Sequence, residues 1–440
     1  MRRIQLTTVL IFLACTINFS PLHAQTPPQD LVPLSDFVSG VAAADARSWL
    51  ARPEGRVKTT AAFEELRRHV LSLYQGVHVT HSFWLDSQVF DCIPIAEQPS
   101  VRHLGLQKIE APPPTEAPSA RLGSAAGGQA VQSPLQAGLV DPFGNAVSCG
   151  KGTIPLRRVT LEELSRFGSL REFFQKGPGG AGRAHPADVP PATAYDHLYA
   201  YAYQSVNNNG GNSWLNLWSP SVGTGQIFSL AQHWYVGGSG SGLQTVEGGW
   251  QNYPGKYGVN SSVLFIYWTA DDYGSTGCYN LDCTGFVQTN SNWALGGTFP
   301  NYSTSGGTQY EVQMQWKHSQ GNWWLYLQGT GTLDPVGYYP GSIYGSGQLS
   351  QYSTLIEYGG ETVGITSWPP MGSGAFANAG YQYAAYQRLI YYTDTSGAGQ
   401  WASLNPVQPT PSCYTIVYTP SSSGGSWGTY FYFGGPGGNC

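Results

Sequence analysis

Charge is scarce in this sequence, and positive charge nearly vanishes from its second half. Only 11% of the 440 residues are Asp, Glu, Lys or Arg. Beyond residue 190 the cations are Lys256, Lys317 and Arg388 alone, against ten acids. A region so short of Lys and Arg argues against nucleic acid as a partner, because phosphate binding needs clusters of those residues. Nor can this half rest on many ion pairs. Acid unfolds proteins largely by protonating paired carboxylates, so tolerance of low pH is expected. Long apolar runs are also lacking. The first, Leu6 to Phe19, is shorter than the ~20 residues a span needs, and nothing later approaches one, so no membrane partner is expected. Cys-x-x-Cys and His-x-x-x-His are missing as well, which disfavours zinc; no metal and no cofactor is expected.

What is present begins with an export signal. Arg2 and Arg3 precede the apolar run, and Pro21-Leu22-His23-Ala24-Gln25 follows it. A basic start, an apolar stretch and a small residue at the cut read as a signal peptide over residues 1–24, and hence as a secreted protein. A periplasmic protein, or one lipid-anchored at Cys15, is the weaker alternative, because Phe12 stands where lipidation signals prefer Leu. Six cysteines remain after the signal: Cys92, Cys149, Cys278, Cys283, Cys413 and Cys440. An even number in an exported chain reads as disulfides. Proximity suggests Cys278–Cys283 and Cys413–Cys440, which leaves Cys92–Cys149.

Composition divides the rest. Residues 25–175 mix helices with loops. Phe63 to Leu71 carries apolar residues at helical spacing, with Gly76 as a stop. Thr160-Leu161-Glu162-Glu163 forms a capping box that opens a helix through about Phe174. Residues 111–134, rich in Pro, Ala and Gly, read as a loose loop. Residues 176–194 can bury almost nothing and read as a linker open to proteolysis. From 195 to 440 the pattern becomes all-β. Tyr195–Gln204, Ser213–Trp218, Val263–Thr269, Tyr310–Lys317 and Trp323–Gln328 are aromatic or β-branched, with Gly, Asn and Ser between them. Many short strands point to an antiparallel β-sandwich, preceded by a smaller α+β region.

Elimination leads to carboxylates. The histidines of the second region, His197, His233 and His318, form no metal-binding pair and read as surface or sheet residues. Gly424-Gly425-Ser426-Trp427-Gly428 matches Gly-x-Ser-x-Gly but lacks the strand-to-helix context of a serine nucleophile. The paired cysteines offer no thiol. Four glutamates remain: Glu247, Glu311, Glu357 and Glu361. Glu311 falls on the polar side of an alternating strand, where solvation is the plain reading. Glu247, in Thr245-Val246-Glu247-Gly248-Gly249-Trp250, lies among apolar residues and glycines. So does Glu361, in Glu357-Tyr358-Gly359-Gly360-Glu361-Thr362-Val363, with Glu357 as its rival. Apolar surroundings raise a carboxyl pKa, and two neighbouring carboxyls can share a proton. One charged base and one neutral acid are what hydrolysis by an activated water needs. Edge-strand glutamates beside turns would look the same.

Phe228-Ser229-Leu230-Ala231-Gln232, Val246-Glu247-Gly248-Gly249-Trp250-Gln251 and Tyr253-Pro254-Gly255-Lys256-Tyr257-Gly258 form a series of distinctive blocks. Phe265-Ile266-Tyr267-Trp268, the run Thr276 to Gln288, Gly359-Gly360-Glu361 and Tyr430 to Gly437 continue it in order. In these blocks the sequence resembles the neprosin family of glutamic prolyl endopeptidases. Phe90-Asp91-Cys92-Ile93-Pro94 and Cys149 to Arg158 resemble the family's activation peptide. The resemblance implies a β-sandwich protease held latent by residues 25–175, its own inhibitor. It also implies cleavage on the carboxyl side of proline at acidic pH. The family's catalytic glutamates fall on Glu247 and Glu361, its tight disulfide loop on Cys278–Cys283 and its C-terminal bridge on Cys413–Cys440. Gly248 stands where Ala is usual, and His233 where an apolar residue is usual.

The expected partners are therefore proline-containing peptides and proteins. A flat aromatic slot would receive the proline ring, with Trp250, Tyr253 and Tyr257 as candidates. The linker prolines Pro178, Pro186, Pro190 and Pro191 would let the enzyme release its own pro-region. Two other classes compete: a carbohydrate-binding β-sandwich, and a glycosidase using two carboxylates.

Overall fold

The computed structural model describes residues 31–114, 127–136, 138–176 and 196–440. The signal segment 1–24 lies outside these residues, as does the linker beyond Lys176.

In the first region the helix Thr60–Tyr74 begins where Thr59 accepts a hydrogen bond from the Ala62 amide at 3.2 Å. It stops before Gly76, whose φ of +73° suits glycine. Phe63, Leu66, Val70 and Leu73 form its buried stripe. The capping box at Thr160 and Glu163 is formed in both halves, but its helix is only Leu161–Ser165. A second helix, Leu170–Phe174, is capped by Ser169. The expected single helix breaks because Gly168 donates its amide to the Glu172 side chain at 2.8 Å, outside any helical ladder. A three-stranded antiparallel sheet, His81–Leu85, Gln88–Pro94 and Thr153–Arg157, completes the region, tied by Cys92–Cys149.

The second region is antiparallel β throughout its main ladder, and one strand organises it. Asp196–Asn216 spans two of the expected strands without a break. Along residues 196–208 it pairs with Ser353–Gly364, and along 210–216 with Tyr310–Ser319. Its other edge takes Asn405–Val407 and then Ala385–Asp394. The sheet therefore curls at Asn208-Asn209-Gly210-Gly211 and folds back on itself as a sandwich. A side chain at Gly210 would collide with the Trp316 carbonyl, and one at Gly211 would lie 2.5 Å from the Tyr391 carbonyl oxygen. The glycines let the layers cross there.

From the bend, the front layer runs through Ser353–Gly364, Gln226–Gly237, Gln244–Asn252 and Val263–Thr269. The back layer includes Tyr310–Ser319, Asn322–Gln328 and Asp334–Pro340 on one side, Ala385–Asp394 and Tyr430–Gly434 on the other. Cys278–Cys283 and Cys413–Cys440 are both formed.

Two expectations fail in the back layer. Glu311 is buried, not solvated: Arg388 Nε lies 2.9 Å from its Oε2, and the Tyr386 hydroxyl donates to the same oxygen at 2.9 Å. The stretch 111–134 is not wholly a loop either. Gln129–Ala130 adds in parallel to the edge of Tyr310–Glu311, and just before it Gly127 covers the Glu311 side chain, where a Cβ would come 2.7 Å from Oε2.

Candidate active site

Glu247 and Glu361 lie on two strands separated by Gln226–Gly237. Across that strand Glu247 is opposite Trp234, Trp234 is opposite Glu357, and Glu361 is opposite Leu230. These positions differ by even steps along their strands, so their side chains share the outward face of the front layer. Gln232, Tyr199 and Phe228 fall on the same face. The alternate set faces the back layer. A Cβ on Gly360 would come 2.5 Å from Met371 Sδ, and one on Gly248 would come 3.2 Å from Met314 Sδ. The glycines around each glutamate thus seat the sheet on its partner layer.

Both carboxylates are fully buried, and one ammonium joins them. Lys176 Nζ lies 2.5 Å from Glu247 Oε2 and 2.9 Å from Glu361 Oε2. The two oxygens are therefore no farther apart than the sum of those distances. The lysine side chain is itself buried, its nitrogen 5.0 Å from the Trp234 ring centre. Composition puts Lys176 at the head of a linker that can bury almost nothing; the structure instead buries it, the cation drawn in by two carboxylates.

The remaining partners differ between the two glutamates. Glu247 Oε1 accepts from Thr245 Oγ1 and from the Tyr273 hydroxyl, each at 2.8 Å. Glu361 Oε1 lies 2.6 Å from His197 Nδ1 and accepts from the Tyr199 hydroxyl at 3.4 Å. Gln232 Nε2 lies 3.5 Å from Glu361 Oε2. Burial by itself would raise the Glu361 pKa, but Lys176 and then His197 outweigh it and hold the carboxyl below its ordinary range. The Tyr199 and Tyr273 hydroxyls are pushed far up, first by burial and then by the carboxylate each faces, so both stay protonated donors.

Tyr273 reaches Glu247 through an unusual turn. Asp272 and Tyr273 both have left-handed backbone, φ +55° and +57°, which costs energy in non-glycine residues. Asp271 holds the turn by accepting from the Ser275 and Thr276 amides at 2.8 and 3.1 Å. Burial would raise its pKa, yet the hydrogen bonds from Thr276 and Ser275 bring it to about 2.

The three expected aromatic candidates separate. Trp250 is an odd step from Glu247, so it points into the sandwich, where Nε1 donates to the Asn216 carbonyl at 3.0 Å. Alternation along the strand removes it from the outward face. Tyr257 lies under the Arg157 guanidinium, with its hydroxyl held by Gln251 and Asn280. Tyr253 packs on Phe228, centroids 5.5 Å apart, and on Phe167 of the first region at 6.2 Å. Phe228 in turn meets the His197 ring edge-on at 6.0 Å.

The first region covers this face by further contacts. Arg157 lies 2.7 Å from Glu163 and 3.7 Å from Asp282. Lys256 lies 3.1 Å from Asp282, donates to the Phe173 carbonyl and stands 3.5 Å above the Phe173 ring. Gln98 bonds both ways with the backbone of Gln288.

His233 is interior. Burial lowers its pKa to about 3, and Nε2 lies 2.7 Å from Ser213 Oγ between the two layers. Among the described residues no group of three His, Cys, Asp or Glu side chains could hold a metal ion.

Residues 225–436 match the family model described as Neprosin. The chain belongs to the neprosin family. With that membership it falls among the glutamic-type peptidases. The neprosin match takes in Glu247, Glu361 and the Cys278–Cys283 loop, and it begins well after Lys176 and His197. The chain is also similar to solved structures of scytalido-glutamic peptidase, one with a transition-state analogue inhibitor and one with a peptide-based analogue. These are 12% identical with TM-scores of 0.29, covering 54% and 55% of this chain and 98% of theirs. A third, SCP-B of the eqolisin family in complex with the tripeptide Ala-Ile-His, is 10% identical over 55% of this chain and 98% of its own, with a TM-score of 0.29.

Proposed function

We propose that this neprosin-family chain is a secreted endopeptidase that cuts after proline at acidic pH and is made as a latent precursor. One observation carries the reading: a single nitrogen touches an oxygen of Glu247 and an oxygen of Glu361. A water in that place would be held by both carboxylates. With one ionised and one protonated, the first removes a proton from the water as it attacks the scissile carbonyl. The second protonates the carbonyl oxygen. Acid is required because one carboxyl must stay neutral.

Latency follows from the same contact. Lys176 occupies the water's position, and its charge holds the Glu361 carboxyl below its ordinary range. Residues 31–176 act as the inhibitor, and a cut in the proline-bearing segment after Lys176 frees the site. Proline selectivity is best served by Tyr253 with Phe228, an aromatic surface beside His197 that Phe167 covers in the latent form. The proline ring offers no amide proton, and such a surface asks for none. A carbohydrate-binding sandwich would have no use for a lysine plug on buried carboxylates.

The test is direct. The full chain, acidified, is incubated with a proline-containing peptide, and the products are mapped by mass spectrometry. Cleavage after proline is expected, and its loss in both Glu247→Gln and Glu361→Gln. Undiminished turnover in either variant removes that glutamate from the mechanism.

A further inference from the structure

The two carboxylates are alike in burial and unlike in company. Glu247 keeps two hydroxyl donors, Thr245 and Tyr273, once Lys176 has gone. Glu361 keeps a histidine, with Nδ1 at 2.6 Å from Oε1. That ring is fixed from both sides, stacked on Tyr199 with centroids 6.3 Å apart and edge-on to Phe228. Its side chain is 17% exposed, whereas that of Glu361 is fully buried.

The titratable groups that meet here come from every neighbouring element. They are His197 and Tyr199 on Asp196–Asn216, Glu357 on the strand of Glu361, and Glu247 on Gln244–Asn252. Tyr273 follows Val263–Thr269, and Lys176 is lost on activation. Of these, His197 alone can bring positive charge to the mature site. A histidine in acid carries both ring protons and favours an ionised carboxylate beside it.

We propose that His197 is a positioning residue that assigns the two roles, holding Glu361 as the ionised base and leaving Glu247 as the proton donor. This rests on the reading of Glu247 and Glu361 as the catalytic pair. Water gives its proton to Glu361 as its oxygen bonds to the carbonyl carbon, and the carbonyl oxygen takes the proton of Glu247. When the resulting diol collapses, the carbon–nitrogen bond breaks. The amine takes the proton held by Glu361, and one diol hydroxyl returns its proton to Glu247. Both glutamates regain their starting forms. His197 donates to Glu361 throughout and never touches substrate.

The experiment compares pH profiles of kcat/KM for the acid-activated chain with His197→Asn and His197→Lys. Asparagine keeps a donor without charge, and lysine keeps the charge. Removing the charge should raise the pKa of Glu361, so the acid limb moves to higher pH by roughly one to two units. Lysine should hold the limb near its original place, and the alkaline limb should move little in either. A uniform loss of rate with an unmoved acid limb overturns the proposal, since a merely structural residue would give that. If the asparagine chain does not fold, His197→Gln replaces it and the same outcomes apply. Turnover surviving in Glu247→Gln and Glu361→Gln would instead overturn the catalytic pair itself.

Discussion

Glu247 and Glu357 occupy one cross-strand row, each registered on Trp234, whereas Glu361 lies four residues farther along the strand of Glu357. Trp234 thus stands between the nearest two glutamates in the ladder, and its ring lies beneath the Lys176 ammonium. The cation reaches past it to Glu361. Glu357→Gln should accordingly keep kcat/KM within a few-fold of the parent on a proline peptide. A loss as deep as that of Glu361→Gln would transfer the second catalytic role to Glu357.

Lys176→Met leaves two buried carboxylates facing each other without their shared cation. Breaking such a buried arrangement costs about 3–5 kcal/mol. The latent chain should melt at lower temperature and lose its pro-region at higher pH. The mature enzyme, cut after residue 176, lacks the lysine and should melt as before. Calorimetry of both forms checks this, and equal melting of parent and variant precursors would argue against the plug.

Acid should loosen the latent form in two stages. His69, on the helix Thr60–Tyr74, meets Phe174 edge-on at 5.0 Å. Burial lowers its pKa from 6.5 to about 4, although Asp282 of the catalytic region pulls the other way. A base whose folded pKa is depressed disfavours the folded state as pH falls below its free value, and the penalty levels off below the folded one. For His69 that window runs from 6.5 down to about 4, worth up to about 3 kcal/mol. Glu361 acts later. Its carboxyl is held below the ordinary 4.5, so its stabilising contact with Lys176 is full above that value and fades only beneath it. His69→Gln should therefore shift release of the pro-region to lower pH, read by maturation on gels across a pH series. An identical midpoint in parent and variant would exclude His69 as the first stage.

Adjacent glycines beside Glu247 should respond very unequally to substitution. A Cβ at Gly248 meets the flexible Met314 side chain at 3.2 Å and Trp316 Nε1 at the same distance. A Cβ at Gly249 runs into the Ala231 carbonyl, a backbone atom that cannot yield cheaply. Gly248→Ala should change stability by less than about 1 kcal/mol, and Gly249→Ala should cost about 3 kcal/mol or more. Thermal melts of the two variants decide it.

The sequence pattern made the architecture legible wherever periodicity was local. Helix spacing located Thr60–Tyr74, and aromatic runs located Val263–Thr269 to the residue. Alternation misled at Glu311, because the layer that buries it is supplied by residues distant in sequence, Arg388, Tyr386 and Gly127. The glycine neighbourhoods singled out Glu247 and Glu361, whose side chains the structure places on one face. Their partners were not foreseen. Lys176 sits at the head of a glycine-rich run that resembles any linker, and His197 was one of three histidines without a motif. A signal for His197 existed: it shares strand parity with Tyr199, Tyr201 and Tyr203, which marks one face. For Tyr273 there was none, since a pair of left-handed residues outside glycine leaves no imprint on composition.

The plug at Lys176 and the strand that carries His197 are consecutive along the polypeptide, joined by residues 177–195. In the proposed latent form, that covalent connection keeps the inhibitor at hand, because the local concentration a tether imposes is set by its length. Once severed, the same surfaces must find each other from bulk solution. Under the proposed scheme dilution would then commit the precursor: a single scission turns a reversible embrace into a departure without return.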